Sequence, residues 1–233
     1  ADDPAAPPHR PFPRHGRIPR DRAFRPFPFR KGTPICPCKA NQIPRSRVVS
    51  RSVCVFCGAR AGADPAYRHA ARATGALIAA RGWRLVYGAG DAGLMGEVAR
   101  AAVAAGGTTL GVVPAHLIAR ESAGAPARHM PGRVVTGTMH ERKTVMFANS
   151  DAIAVLPGGA GSLDEFFEVL TWAQIGLHRK PILVLDVNGF WQPLAALVDH
   201  VITEGFAEPS LRDLFGLVPD VPALGAALEA AFR

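Results

Sequence analysis

Ala152-Ile153-Ala154-Val155-Leu156 runs straight into Pro157-Gly158-Gly159-Ala160-Gly161-Ser162-Leu163-Asp164-Glu165, and this junction decides the fold. An unbroken apolar run bounded by turn residues reads as a strand buried on both faces, the kind found in parallel sheets. The glycines behind it mark a turn, and Ser162 to Gly176 carries apolar positions at helical spacing. Three glycines let backbone amides come close to an anion, and a helix N-terminus adds free N–H groups and a positive dipole end. Ser162 fits two roles: a hydroxyl donor to a phosphate oxygen, or the first member of a capping box with Glu165. The spacing matches neither G-x-G-x-x-G nor G-x-x-x-x-G-K-[ST], which sets aside the dinucleotide and ATPase fingerprints.

The same alternation extends in both directions. Strands are predicted at Ser52–Cys57, Trp83–Tyr87, Thr108–Val113, Arg133–Val135, Ala152–Leu156, Pro181–Leu185 and Leu214–Val218. Helices are predicted at Pro65–Arg81, Gly93–Ala105, Met139–Asn149, Ser162–Gly176, Phe190–Glu204 and Ala223–Phe232, with an irregular loop over 115–131. In the first helix Tyr67, Ala71, Ala73, Leu77 and Ile78 are the expected inner positions. Short apolar strands alternating with amphipathic helices give an α/β fold, a doubly wound, mostly parallel sheet with helices on both faces. Ligands in such sheets bind beyond the carboxyl ends of the strands, which directs attention to the loops after Phe56, Tyr87, Val113 and Leu156.

Charge divides the 233 residues into two parts. Residues 1–50 hold eleven Lys/Arg against three Asp/Glu, which is the whole net charge of +8, while residues 51–233 hold sixteen of each sign. The folded part is neutral, so no basic nucleic-acid face is expected on it. Eleven of the 21 prolines also lie in residues 1–50, as in Arg10-Pro11-Phe12-Pro13-Arg14, and proline opposes both helix and sheet ladder. That segment is expected to be a disordered basic extension, and 51–233 to be the working domain. A chain beginning at Val48 is expected to keep its activity and lose affinity for polyanions. No membrane segment and no secretory signal are expected, and the four cysteines do not make a disulfide scaffold, so a cytoplasmic setting is the default.

Four motifs in order carry a family resemblance. Pro157-Gly158-Gly159-x-Gly161-Ser162-x-x-Glu165 resembles the P-G-G-x-G-T-x-x-E signature of the LONELY GUY family, the cytokinin riboside 5′-monophosphate phosphoribohydrolases, many of them formerly labelled lysine decarboxylases. Val53-Cys54-Val55-Phe56-Cys57-Gly58 is similar to that family's first strand and turn. Leu85-Val86-Tyr87-Gly88-Ala89-Gly90 with Gly93-Leu94-Met95-Gly96 is similar to its second glycine loop, and Met139-His140-Glu141-Arg142-Lys143 to its M-H-x-R-K helix start. The resemblance implies a Rossmann-like fold and hydrolysis of the N-glycosidic bond of an N6-substituted adenosine 5′-monophosphate, giving free base and ribose 5-phosphate.

Glu165 and Arg142 are the implied catalytic pair. A carboxylate beside the anomeric carbon stabilises the positive charge that builds on the sugar, and a guanidinium can hold that carboxylate ionised. Substrate contacts are implied at Gly158, Gly159, Gly161, Ser162 and Asp164. Further contacts are implied at Lys143, Thr171 and Glu121, and in the second glycine loop at Gly88, Gly90 and Met95. A homodimer with each active site near the interface is implied too, with no cofactor and no metal. Two other readings stay open on the same fold: a non-catalytic nucleotide carrier or sensor, and a nucleosidase for plain AMP.

The chain departs from the family pattern in three places. Ser162 stands for Thr and keeps the hydroxyl. Ala59-Arg60 stands where a serine pair is typical. Ala89 interrupts a run of glycines, where a Cβ at positive φ would strain the turn. Cys54 and Cys57 have C-x-x-C spacing, but on a strand their odd separation points them to opposite faces. Zinc binding together with Cys36 and Cys38 is therefore disfavoured, and Lys143 and Lys180 give no case for a pyridoxal phosphate enzyme.

Overall fold

The computed structural model describes residues 51–118 and 132–233. Glu121, Cys36 and Cys38 lie outside the described residues, as does the predicted basic extension. Seven strands make one sheet: β1 Ser52–Phe56, β2 Arg84–Tyr87, β3 Thr108–Pro114, β4 Arg133–Thr136, β5 Ala152–Val155, β6 Ile182–Leu185 and β7 Gly216–Val218. All pairings are parallel, in the order β4-β3-β2-β1-β5-β6-β7. Between them run α1 Pro65–Ala80, α2 Gly93–Ala104, α3 Met139–Ala148, α4 Ala160–Gln174, α5 Gln192–Thr203 and α6 Val221–Ala231.

Every residue of β1 is buried, because the strand lies mid-sheet with helices on both sides. Val53 and Val55 face a core shared with α1, α2 and α6, where Ala71, Ile78, Leu94, Val98, Leu224 and Leu228 pack. Cys54 and Phe56 face the opposite core, built with Met146 of α3, Phe166 and Val169 of α4, and Leu194 and Val198 of α5. Each large apolar side chain fully buried in this way contributes about 1.5–3 kcal/mol. The two cysteines thus occupy different cores, as their spacing predicts. Burial, reinforced by the nearby Glu165 carboxylate, raises both thiols well above their ordinary range.

Local sequence sets the helix starts. Asp64 caps α1 by accepting from the Ala66 amide at 2.8 Å. Thr138 caps α3 by accepting from the Glu141 amide at 3.1 Å, while the Glu141 carboxylate reaches back to the Gly137 amide at 2.7 Å. The capping box therefore lies at Thr138–Glu141. At the glycine junction α4 begins earlier than predicted. Gly159 is its N-cap, no side chain caps it, and Ser162 sits inside the first turn.

Three further differences have physical causes. The inner face of α1 is Ala71, Thr74, Gly75, Ile78 and Ala79, and Ala73 is exposed. Tyr67 and Leu77 are half-buried. The face turns because α1 lies tightly on α2, so closely that a Cβ on Gly75 would overlap the Val98 carbonyl. Pro209–Leu214 forms 3-10 turns, which delays β7 to Gly216. A tight turn over Val187–Gly189, with Asn188 at φ 53°, delays α5 to Gln192. No helix of the described residues is long and apolar enough to cross a membrane.

Candidate active site

From β1 the chain winds outward to β4 and then returns to place β5 on the other side of β1. The helix following β1 packs on one face and the helix following β5 on the other. The connections therefore diverge and leave a crevice at the carboxyl ends of these two strands, the switch point at which open α/β sheets bind ligands. A cavity of about 480 Å³ fills it.

The floor is the seam between the loops after β1 and β5. The Gly58 amide donates to the Pro157 carbonyl at 3.0 Å, and the Leu94 amide of α2 donates to the Gly58 carbonyl at 3.0 Å. Gly158 must lack a Cβ, because one would overlap the Ser162 hydroxyl. Ser162 is 3% exposed, and its position at the cavity wall explains why it is not the helix cap. With Gly159 as N-cap, the amides at the first turn of α4 have no intrahelical acceptor and face a cavity wall made by Gly158–Ser162. Positive helix-end potential and an accessible amide surface coincide there.

Arg142 reaches the cavity from α3 and is 5% exposed. Its Nε donates to the Val112 carbonyl at 3.1 Å and its Nη2 to the Gly88 carbonyl at 2.9 Å. A Cβ on Gly88 would overlap that guanidinium, so the glycine loop after β2 makes room for the cation and orients it. Glu165, one turn into α4, lines the same cavity. Tyr67 and Phe190 close the far side edge to face, 5.4 Å between centroids. The Asp64 carboxylate ties the two walls together by accepting from the Asn188 amide at 2.9 Å.

Among the sequence-derived candidates, Gly158, Gly159, Gly161, Ser162, Glu165, Arg142 and Met95 come together around this cavity. The others go elsewhere. Gly88 supports Arg142 from behind, and Gly90 is buried without lining the space. Lys143, 8% exposed, spans from α3 to the Asp164 carboxylate at 3.1 Å and the Glu168 carboxylate at 3.0 Å. Burial alone would lower its pKa, but the hydrogen bonds that its ammonium donates to Glu168 and Asp164 outweigh that and the net shift is upward. Lys143 and Asp164 thus join α3 to α4 rather than line the cavity. Thr171 lies in a separate apolar groove between α4 and α5, with Phe167, Leu197 and Phe206.

Sequence reasoning did not select Cys57, Tyr67, Leu94 and Phe190 as lining residues. Cys57 and Leu94 sit inside the first-strand and second-glycine-loop motifs, whereas Tyr67 and Phe190 carry no motif and arrive by packing alone. Arg60, noted only as a departure, lies at the rim.

Among the described residues no His/Cys/Asp/Glu group is arranged to hold a metal ion. Among these described residues no lysine lines the cavity. The Nζ of Lys143 is held by carboxylates, and that of Lys180 donates to the Phe147 carbonyl at 2.6 Å and lies 3.7 Å from the centre of the Phe147 ring.

Residues 95–228 match the family model described as "Possible lysine decarboxylase". The chain is 47% identical over 179 residues to the Oryza sativa subsp. japonica protein named "Probable cytokinin riboside 5′-monophosphate phosphoribohydrolase LOGL9", covering 77% of this chain and 78% of that one. It is 40% identical over 187 residues to the cytokinin riboside 5′-monophosphate phosphoribohydrolase of Rhodococcoides fascians, covering 80% of this chain and 93% of that one. Among solved structures, the molybdenum cofactor carrier protein of Chlamydomonas reinhardtii aligns with a TM-score of 0.58 at 22% identity, covering 78% of this chain and 97% of that one. That likeness is one of fold.

Proposed function

Because the chain belongs to the family of cytokinin riboside 5′-monophosphate phosphoribohydrolases, we propose that its cavity hydrolyses the N-glycosidic bond of an adenosine-type 5′-monophosphate, N6-substituted in the preferred substrate. The observation that carries the reading is the meeting of Arg142, Glu165 and the open N-terminus of α4 in one cavity at the sheet's switch point.

The roles follow from charge. The amides of Gly159–Gly161 and the Ser162 hydroxyl suit a 5′-phosphate. That anchor sets the ribose deeper, toward Glu165. As the bond from C1′ to the base nitrogen breaks, positive charge develops on the sugar ring, and the Glu165 carboxylate stabilises it and orients water. The water oxygen bonds to C1′, one proton remains with the sugar hydroxyl, and the other ends on the departing base. Arg142, fixed by the Val112 and Gly88 carbonyls, holds a permanent positive charge at this wall of the cavity that Glu165 also lines.

A decarboxylase of the pyridoxal type needs a lysine amine to form a Schiff base, and among the described residues none lines the cavity. A carrier on this fold needs no carboxylate aimed at a sugar. Incubating the full chain with adenosine 5′-monophosphate and its N6-isopentenyl derivative, and separating the products, tests the reading. Release of free base and ribose 5-phosphate from the monophosphate, with the free riboside cleaved poorly, is expected; tight binding without base release would leave the carrier.

The active form is a homodimer in this reading. The groove between α4 and α5 presents Phe167 and Leu197 beside Phe206, which is 85% exposed. Exposed apolar surface of that kind supports a contact between copies.

A further inference from the structure

We propose that Arg60 reads the charge of the substrate's 5′-phosphate and makes this site selective for the dianion, a role that rests on the phosphoribohydrolase reading above.

Among the described residues three charged side chains line the cavity: Arg60, Arg142 and Glu165. Arg142 is buried, and its Nε and Nη2 are committed to the carbonyls of Val112 and Gly88. Glu165 repels an anion. The N-terminus of α4 supplies roughly half an elementary charge, whereas a phosphate monoester near neutral pH carries about −1.5 to −2. Without a further cation the bound phosphate is under-compensated.

Arg60 is that cation. It is exposed at the rim, and among the described residues its side chain makes no hydrogen bond or ion pair. Its backbone is fixed even though its side chain is not. The Arg60 carbonyl lies 2.9 Å from where a Cβ on Gly58 would stand, and Gly58 is bonded to both Pro157 and Leu94. The turn over Gly58 therefore sets Arg60 on the same rim as the α4 N-terminus, and its planar fork suits bidentate contact with phosphate oxygens. Beside it, Ala59 has no hydroxyl to offer. This chain thus uses a formal charge on the loop after β1, and recognition by charge responds to the ionisation of the phosphate.

Equilibrium titration of the full chain with adenosine 5′-monophosphate and with adenosine tests the assignment, in a Glu165→Gln background so that ligand is not consumed. Arg60→Gln is expected to weaken monophosphate binding by about ten- to hundredfold and to leave adenosine binding unchanged, with Arg60→Lys in between. Arg68→Gln, which removes an equal charge from an exposed site outside the cavity, is expected to change neither. Affinity for the monophosphate should fall as pH drops through the second phosphate ionisation near about 6, and fall less steeply in Arg60→Gln. Unchanged monophosphate affinity in Arg60→Gln, an equal loss for adenosine, or an equal loss in Arg68→Gln would overturn the assignment. The hydrolase reading fails separately: a chain that binds the monophosphate through Arg60 yet releases no base refutes that reading and leaves Arg60 in its role.

Discussion

Glu165 can lose its charge without losing its shape. In Glu165→Gln the cavity keeps its volume and its phosphate anchor, so nucleotide binding should persist while turnover falls by at least about 100-fold. Single-turnover base release together with a binding titration separates the two effects, and normal turnover would remove Glu165 from the mechanism. Ala89 gives a different single-residue test. It sits at φ 59°, the strained geometry that its place among glycines predicts. Its Cβ fits because Gly111 of the neighbouring strand has none: a Cβ there would stand 2.9 Å from that of Ala89. Relief of left-handed strain is worth roughly 1–2 kcal/mol and the added freedom of the unfolded chain costs back about 0.4–1. Ala89→Gly should therefore raise unfolding stability by about 0.5–1 kcal/mol in urea titrations, and Gly111→Ala should be better tolerated in that background than alone.

At the scale of elements, α3 and α4 bring the two charged groups of the chemistry into one cavity, and Lys143 ties these helices together through Asp164 and Glu168. Asp164 is 61% exposed, so most of the coupling runs through the more buried Glu168. Lys143→Met should cost about 1–2 kcal/mol of stability and lower kcat more than it raises KM, since it loosens Arg142 against Glu165 without touching the ligand. An unchanged kcat would limit Lys143 to stability alone. This pairing was not legible in the sequence, because nothing in Met139–Lys143 says which way a lysine leaves its helix. The strands and helices were legible, because apolar runs, Asp64-Pro65 and the glycine turns are local signals. The start of α4 was misread for a physical reason. Ser162 and Glu165 have capping-box spacing, yet the wall of the cavity takes the hydroxyl and Gly159 takes the cap. Tyr67 and Phe190 were invisible as a pair because they lie far apart in the chain and meet only across the Asp64–Asn188 hydrogen bond.

At the scale of the molecule, the apolar groove carrying Phe206 is a surface of the described residues that gains from a partner. If two copies meet there, Phe206→Glu should shift sedimentation at micromolar protein from dimer to monomer, while leaving the far-ultraviolet spectrum of the domain intact. A wild-type chain that sediments as a monomer with full activity would contradict the dimer.

The order of the strands has a consequence for how binding and folding are linked. The two loops that form the cavity floor are almost 100 residues apart in the chain, Gly58 on one and Pro157 on the other, and they are neighbours only because β5 docks against β1. The stretch from α3 to α4 carries the phosphate anchor and both charged groups of the chemistry, but the cavity floor beneath them is complete only when the halves of the sheet join. A ligand at 100 times its dissociation constant therefore adds its full roughly 2.7 kcal/mol to the closure of the whole sheet. In a cell rich in nucleotides, substrate supply and protein lifetime become coupled quantities.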